Sequence, residues 1–108
     1  MHADFKLKAG DLLPALPATL LNPDGTPFNL VGCSVVFRMR KHGATSYAVE
    51  AAAELVDEDT GRVRYNWLAG DTDAAGFYRA EFTATTADNK PITFPNSGHF
   101  TVSIDEHA

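Results

Sequence analysis

Carboxylates are the first residues in this sequence whose types and spacing could do chemistry. Asp57, Glu58 and Asp59 are consecutive, and Asp71 and Asp73 follow in a later polar segment. Calcium takes several oxygen ligands of this kind, and loops at one end of a domain could bring the five carboxylates together. There is no ligand series of the EF-hand type, and Asp is common in turns because its side chain bonds nearby backbone. We therefore expect turn residues, with no metal and no cofactor, and keep calcium as the alternative.

No residue that could act as a nucleophile has a general base at the spacing of a known catalytic motif. Ser34, Ser46, Ser97 and Ser103 each lack such a neighbour, whereas nucleophilic catalysis needs a base within hydrogen-bond reach. The four histidines are scattered, and none is spaced with Cys33 as zinc ligands are. The sequence predicts no catalytic residues, so we expect that the protein is not an enzyme.

Three aromatic residues could form a flat platform for sugar rings. They are Trp67, Tyr65 and Tyr47. Trp67 and Tyr65 share the alternation phase of Val63, however, and a tryptophan in that phase points into the core of a sandwich. We favour the core position and keep a carbohydrate-binding β-sandwich module as the alternative function.

Two alternating segments between Thr60 and Thr86 position most of these residues. Residues 62–68 and 78–85 both alternate apolar with polar side chains, which is the period of a half-buried strand. Residues 69–76 contain two glycines and two aspartates, the composition of a connection. We expect the two segments to be sequential antiparallel neighbours in one sheet.

The rest of the chain also favours strands separated by turns. Pro14 and Pro17 predict a strand at a sheet edge, because proline cannot donate to a ladder. Residues 47–56 fit a strand by alternation or a helix by composition, and we favour the strand. The pattern predicts an all-β fold, an immunoglobulin-like antiparallel β-sandwich of about seven to eight strands. Residues 1–108 would form one domain, with 1–10 as a candidate N-terminal arm.

Alternation also separates a predicted core from a predicted interface. The inward phase gives the core, and outward apolar residues leave area for a protein partner. Phe5 and Leu7 enter the second set because an N-terminal arm could add a strand to a neighbour's free edge. The predicted core is Cys33, Val35, Phe37, Tyr65, Trp67, Tyr78, Phe82, Phe100 and Val102. The predicted interface is Phe5, Leu7, Val36, Val56, Leu68 and Phe77.

Composition argues against two classes of partner. The formal net charge of -5 is unlike that of nucleic-acid binders, which usually carry a basic surface. No apolar run approaches the length of a membrane-spanning helix. We expect neither a nucleic-acid nor a membrane partner.

Five turn and strand motifs follow one another along the chain: Asn22–Gly25 (NPDG), Asn29–Gly32 (NLVG), Thr60–Tyr65 (TGRVRY), Gly76–Phe82 (GFYRAEF) and Ile92–Pro95 (ITFP). This set resembles the N-terminal domain of phage baseplate upper proteins and similar small virion proteins of tailed phages. The sequence departs from the pattern at Val31, where a hydroxyl residue is expected, and at Asn89, where a turn glycine is expected; Asn tolerates the left-handed conformation.

The resemblance implies an immunoglobulin-like sandwich that is synthesised in the bacterial cytoplasm and incorporated into the virion. It would serve as a baseplate, tail or head-associated assembly or adaptor subunit, through protein-protein interfaces. Its partners would be other virion proteins and copies of itself, in a homo-oligomer within the assembled particle. Such a domain needs no active site.

Overall fold

The regular structure of this chain is built from β-strands. The computed structural model describes residues 4–95 and 100–106, which form nine strands in two sheets and contain no helix. The predicted all-β sandwich is confirmed. The strands are β1 (Phe5–Lys8), β2 (Leu16–Thr19), β3 (Ser34–Lys41), β4 (Val49–Ala52), β5 (Glu54–Asp57), β6 (Arg62–Tyr65), β7 (Gly76–Thr85), β8 (Pro91–Phe94) and β9 (Phe100–Asp105).

The larger sheet is built around the long strand β7. Its order is β1-β9-β7-β3-β4, and β8 also pairs with β7. β3 lies antiparallel along one side of β7, in a register that runs from Ser34 opposite Thr85 to Lys41 opposite Tyr78. On the other side, β9 pairs with the first half of β7 and β8 with the second half. The smaller sheet has the order β2-β6-β5.

The expected pairing of the two central segments is wrong. β6 belongs to the smaller sheet and β7 to the larger one, so the two strands face each other across the core instead of sharing hydrogen bonds. The reason is that alternation fixes which side chains point inward but leaves open whether the next strand lies beside or opposite. Residues 66–75 form the connection that crosses from one sheet to the other.

Residues 47–56, which fit a strand or a helix by sequence, form strands as predicted, but two strands instead of one. Residues 47–56 contain β4 and the start of β5, which lie in opposite sheets. The chain changes sheets at Ala53, whose backbone N–H donates to the Val35 carbonyl at 2.9 Å. The proline-containing segment forms β2, an edge strand in which Pro17 lies opposite Arg64. The edge position suits a residue that has no N–H to donate.

Aromatic rings fill the space between the sheets. The Phe37 ring is fully buried and stacks on Tyr65 with ring centroids 4.4 Å apart. Phe82 and Trp67 contact the same ring at 5.1 and 5.8 Å. Of the nine predicted core residues, the structure buries Val35, Phe37, Tyr65, Trp67, Tyr78, Phe82 and Val102, while Cys33 and Phe100 are half-buried against this core.

Candidate interaction surfaces

The five carboxylates that could have gathered around calcium serve separate turns. Asp57 accepts a hydrogen bond from the Asp59 backbone N–H at 3.2 Å, at one end of β6. Asp71 lies at the other end of β6, where it accepts from the Tyr65 hydroxyl at 2.5 Å and the Leu68 N–H at 2.9 Å. Within residues 4–95 and 100–106, no three His, Cys, Asp or Glu side chains come close enough to share a metal ion.

The three aromatic residues considered for sugar binding do not form one surface. Trp67 is buried, and its indole N–H donates to the Pro14 carbonyl at 3.2 Å. Tyr65 is also buried, with its ring edge-on to Trp67 at 5.3 Å, whereas Tyr47 is exposed. An aromatic platform needs ring faces open to solvent, so this feature of the sequence no longer favours a carbohydrate-binding module.

Tyrosine hydroxyls hold the connection between the sheets in place. Burial, and then the hydrogen bond to Asp71, raise the pKa of Tyr65 far above its usual value. Burial likewise raises the pKa of Tyr78, whose hydroxyl donates to the Ala74 carbonyl at 2.6 Å. Both hydroxyls therefore remain protonated donors at neutral pH, and they anchor residues 66–75 at the end of the sandwich.

Three leucines are exposed on two adjoining loops at this end. They are Leu12, Leu13 and Leu68, named here the leucine end, and Leu13 and Leu68 are 79% and 58% exposed. The loops that carry them are joined by hydrogen bonds: the Gly10 N–H donates to the Thr72 carbonyl at 3.0 Å, and the Thr72 hydroxyl donates to the Asp11 carbonyl at 2.9 Å. The leucine end is therefore an apolar surface on a fixed support.

Sequence reasoning included Leu68 in the predicted interface but missed Leu12 and Leu13. The signal that could have found them is the Leu12-Leu13 pair itself, with Leu13 directly before Pro14. Two adjacent leucines cannot both point inward from a strand, and the residue before a proline is held in an extended conformation.

The structure corrects the assignment of Leu7 to an interface. Leu7 is buried in the core, and Phe5 is half-buried with its ring 6.2 Å from Trp67. Both belong to β1, which pairs in parallel with β9 of the same chain. A short amphipathic strand fits any free sheet edge, and the edge of its own chain is the nearest. Residues 5–8 of the candidate arm are thus part of the sandwich.

The remaining predicted interface residues lie on different faces. Val36 is half-buried on the outer face of the larger sheet, beside Ala52 and Thr83 in register. Phe77 is exposed on β7 of that sheet, while Val56 is exposed on β5 of the smaller sheet. These residues therefore do not make one contiguous patch with the leucine end.

Exposed ion pairs cover parts of both sheets. Arg38 donates to Glu50 at 2.6 Å on the larger sheet. On the smaller sheet, Arg64 contacts both carboxylate oxygens of Glu54. The hydrogen bond from Asn66, and then the one from Arg64, hold the pKa of Glu54 below its usual value. These residues already have partners within the chain.

Comparison with known proteins identifies the family. The sequence model of one protein family, the BppU N-terminal domain, matches residues 3–107, which is nearly the whole chain. The chain belongs to this family. Membership in the BppU N-terminal domain family implies a phage baseplate-associated structural protein located in the virion. The resemblance found in the turn and strand motifs is therefore confirmed.

Two further comparisons bear on the fold. No curated protein sequence matches this BppU N-terminal domain. Among solved structures, "The crystal structure of CopC from Methylosinus trichosporium OB3b" is similar with a TM-score of 0.55 and 14% identity, covering 99% of this chain and 88% of that one. At this identity the similarity concerns the fold alone. For the described residues, no helix has the length and apolar character needed to cross a bilayer.

Proposed function

We propose that this BppU N-terminal domain is a structural subunit of the phage baseplate that acts by binding other virion proteins and copies of itself. Family membership supports a baseplate protein, and the leucine end supports action through an interface. A structural subunit of this kind requires a surface that is complementary to a neighbour, and it requires no catalytic group.

The observation that carries the proposal is the fixed support of the leucine end. Leu13 exposes most of its side chain although the segment around it is bonded to the neighbouring loop. Burying one leucine against a partner contributes about 1.5–3 kcal/mol. Because the loops are already ordered, little conformational entropy is lost when a partner binds. Leu13 and Leu68 are therefore suited to anchor a contact in the assembled particle.

Incorporation into particles tests this proposal. The gene is deleted from the phage, and the infected host supplies the protein from a plasmid. In particles assembled this way, Leu13→Asp is expected to lower the amount of this protein per particle at least about tenfold, because a carboxylate would be desolvated at the contact. The amount is measured by quantitative immunoblotting of purified particles.

The matched control is Leu21→Asp, since Leu21 is 41% exposed and lies outside the leucine end, in the segment that follows β2. It should be incorporated like the wild type. Equal incorporation of the Leu13→Asp and wild-type chains, with both folded by circular dichroism, would contradict the role of the leucine end.

A further inference from the structure

Two arginines lie directly opposite each other on the outer face of the larger sheet. Arg40 on β3 is the cross-strand partner of Arg79 on β7, and together they are named here the arginine pair. Like charges in this relation destabilise a sheet. The ion pairs found among residues 4–95 and 100–106 involve Arg38, Arg64 and Lys90 but neither member of the arginine pair.

Arg79 has a buried donor that lacks an acceptor. Its Nε atom is inaccessible to solvent and makes no hydrogen bond within the described part of the chain. A second molecule cannot reach this covered atom, but a carboxylate can bond the terminal guanidinium nitrogens and offset the repulsion within the arginine pair. The nearby Glu81 lies opposite Arg38 and joins no ion pair with the described residues, and Phe77 is exposed on the same face. The arginine pair therefore fits a carboxylate that the described chain does not itself supply.

The chain carries a complementary acidic surface at its other end. Asp57, Glu58 and Asp59, named here the acidic turn, are exposed and join none of the ion pairs formed by the described residues. The Asp57 carboxylate accepts a hydrogen bond from the Asp59 N–H at 3.2 Å, and the Glu58 side chain is exposed between these two residues. β6 leads from this turn to the connection that precedes β7, and the longest dimension of the molecule is 43 Å. The two surfaces of one molecule thus lie near opposite ends.

We propose that the arginine pair binds the acidic turn of a second copy of this chain, with the Glu58 carboxylate accepting from Arg79. This contact rests on the proposed function, in which copies of the domain bind one another, and it specifies the residues through which they bind. Because the two surfaces differ, the association is head-to-tail, which closes into a ring or continues as an open array. Opposite charges at such a contact also orient the approaching copy.

Charge reversal at each surface, and then at both, tests the contact in solution. Molar mass is measured by sedimentation at concentrations from about 1 to about 300 µM. The wild type should associate, and more weakly as NaCl rises from about 50 to about 500 mM, since salt screens exposed charges. Arg79→Glu and Glu58→Lys should each weaken association at least about tenfold, and the chain with both changes should recover it. Arg79→Gln repeats the first test without adding a carboxylate.

Matched controls make the same charge changes elsewhere: Lys90→Glu and Glu106→Lys, both at exposed positions. They should associate like the wild type. A wild type that stays monomeric throughout, single reversals no weaker than the controls, or a combined variant that does not recover would overturn the proposal. Incorporation into particles is measured separately, so the baseplate role and the arginine contact can fail independently.

Discussion

Replacing Phe37 with alanine is expected to lower the free energy of unfolding by about 3–5 kcal/mol. Phe37 is fully buried, and its ring contacts Tyr65, Trp67 and Phe82 at centroid distances of 4.4, 5.8 and 5.1 Å. Tyr65 belongs to the smaller sheet, Trp67 to the segment that follows it, and Phe82 to the larger sheet. Removing the ring leaves a cavity between the sheets that rigid neighbours cannot fill.

Urea unfolding followed by Trp67 fluorescence gives this free energy. The control is Tyr47→Ala, which removes an aromatic ring from an exposed position and should change stability by no more than about 0.5–1 kcal/mol. A loss at Phe37 as small as the loss at Tyr47 would show that this ring is not central to the packing between the sheets.

Replacing Gly61 with alanine is expected to cost at least about 3 kcal/mol or to prevent folding. Gly61 has a φ of +71°, and a Cβ there would lie 2.5 Å from the Leu20 carbonyl oxygen and 2.9 Å from that of Phe28. These are backbone atoms of an ordered segment, and the Leu20 N–H donates to the Gly61 carbonyl at 2.7 Å. The methyl group can therefore be accommodated only if the chain that enters β6 moves.

Gly43→Ala separates the clash from the backbone conformation. Gly43 has a φ of +86°, and no atom lies within 4 Å of the position that a Cβ would take there, so alanine should cost only about 1–2 kcal/mol from the left-handed conformation. Thermal unfolding of both variants measures the difference. Equal destabilisation at the two positions would mean that the close approach of Leu20 and Phe28 is not what requires glycine at position 61.

The fold class could be predicted from the sequence because alternation and turn residues are local properties. The alternation of residues 62–68 placed Tyr65 and Trp67 inward, and the prolines placed β2 at an edge, where the structure has them. The partner of β6 could not be predicted, since a strand with an aromatic inner face can pair with β7 or pack against it. Asn89, expected in a left-handed turn, has a φ of 65°.

The candidate surfaces were harder to predict, because they depend on which segments meet. The alternation around Leu7 is the same whether its strand pairs within this chain or with a neighbouring molecule. Only the pairing with Ile104 shows that the strand belongs to the sheet of its own chain. The arginine pair requires the register that sets Arg40 opposite Arg79. Nothing local to either arginine indicates that register.

Immunogold electron microscopy of purified particles of the phage that encodes this chain, with an antibody against the domain, tests the baseplate assignment directly. Gold is expected at the baseplate end of the tail, and peptides of this chain are expected in mass spectra of the same particles. Unlabelled particles without these peptides, or gold confined to the head, would contradict a baseplate subunit.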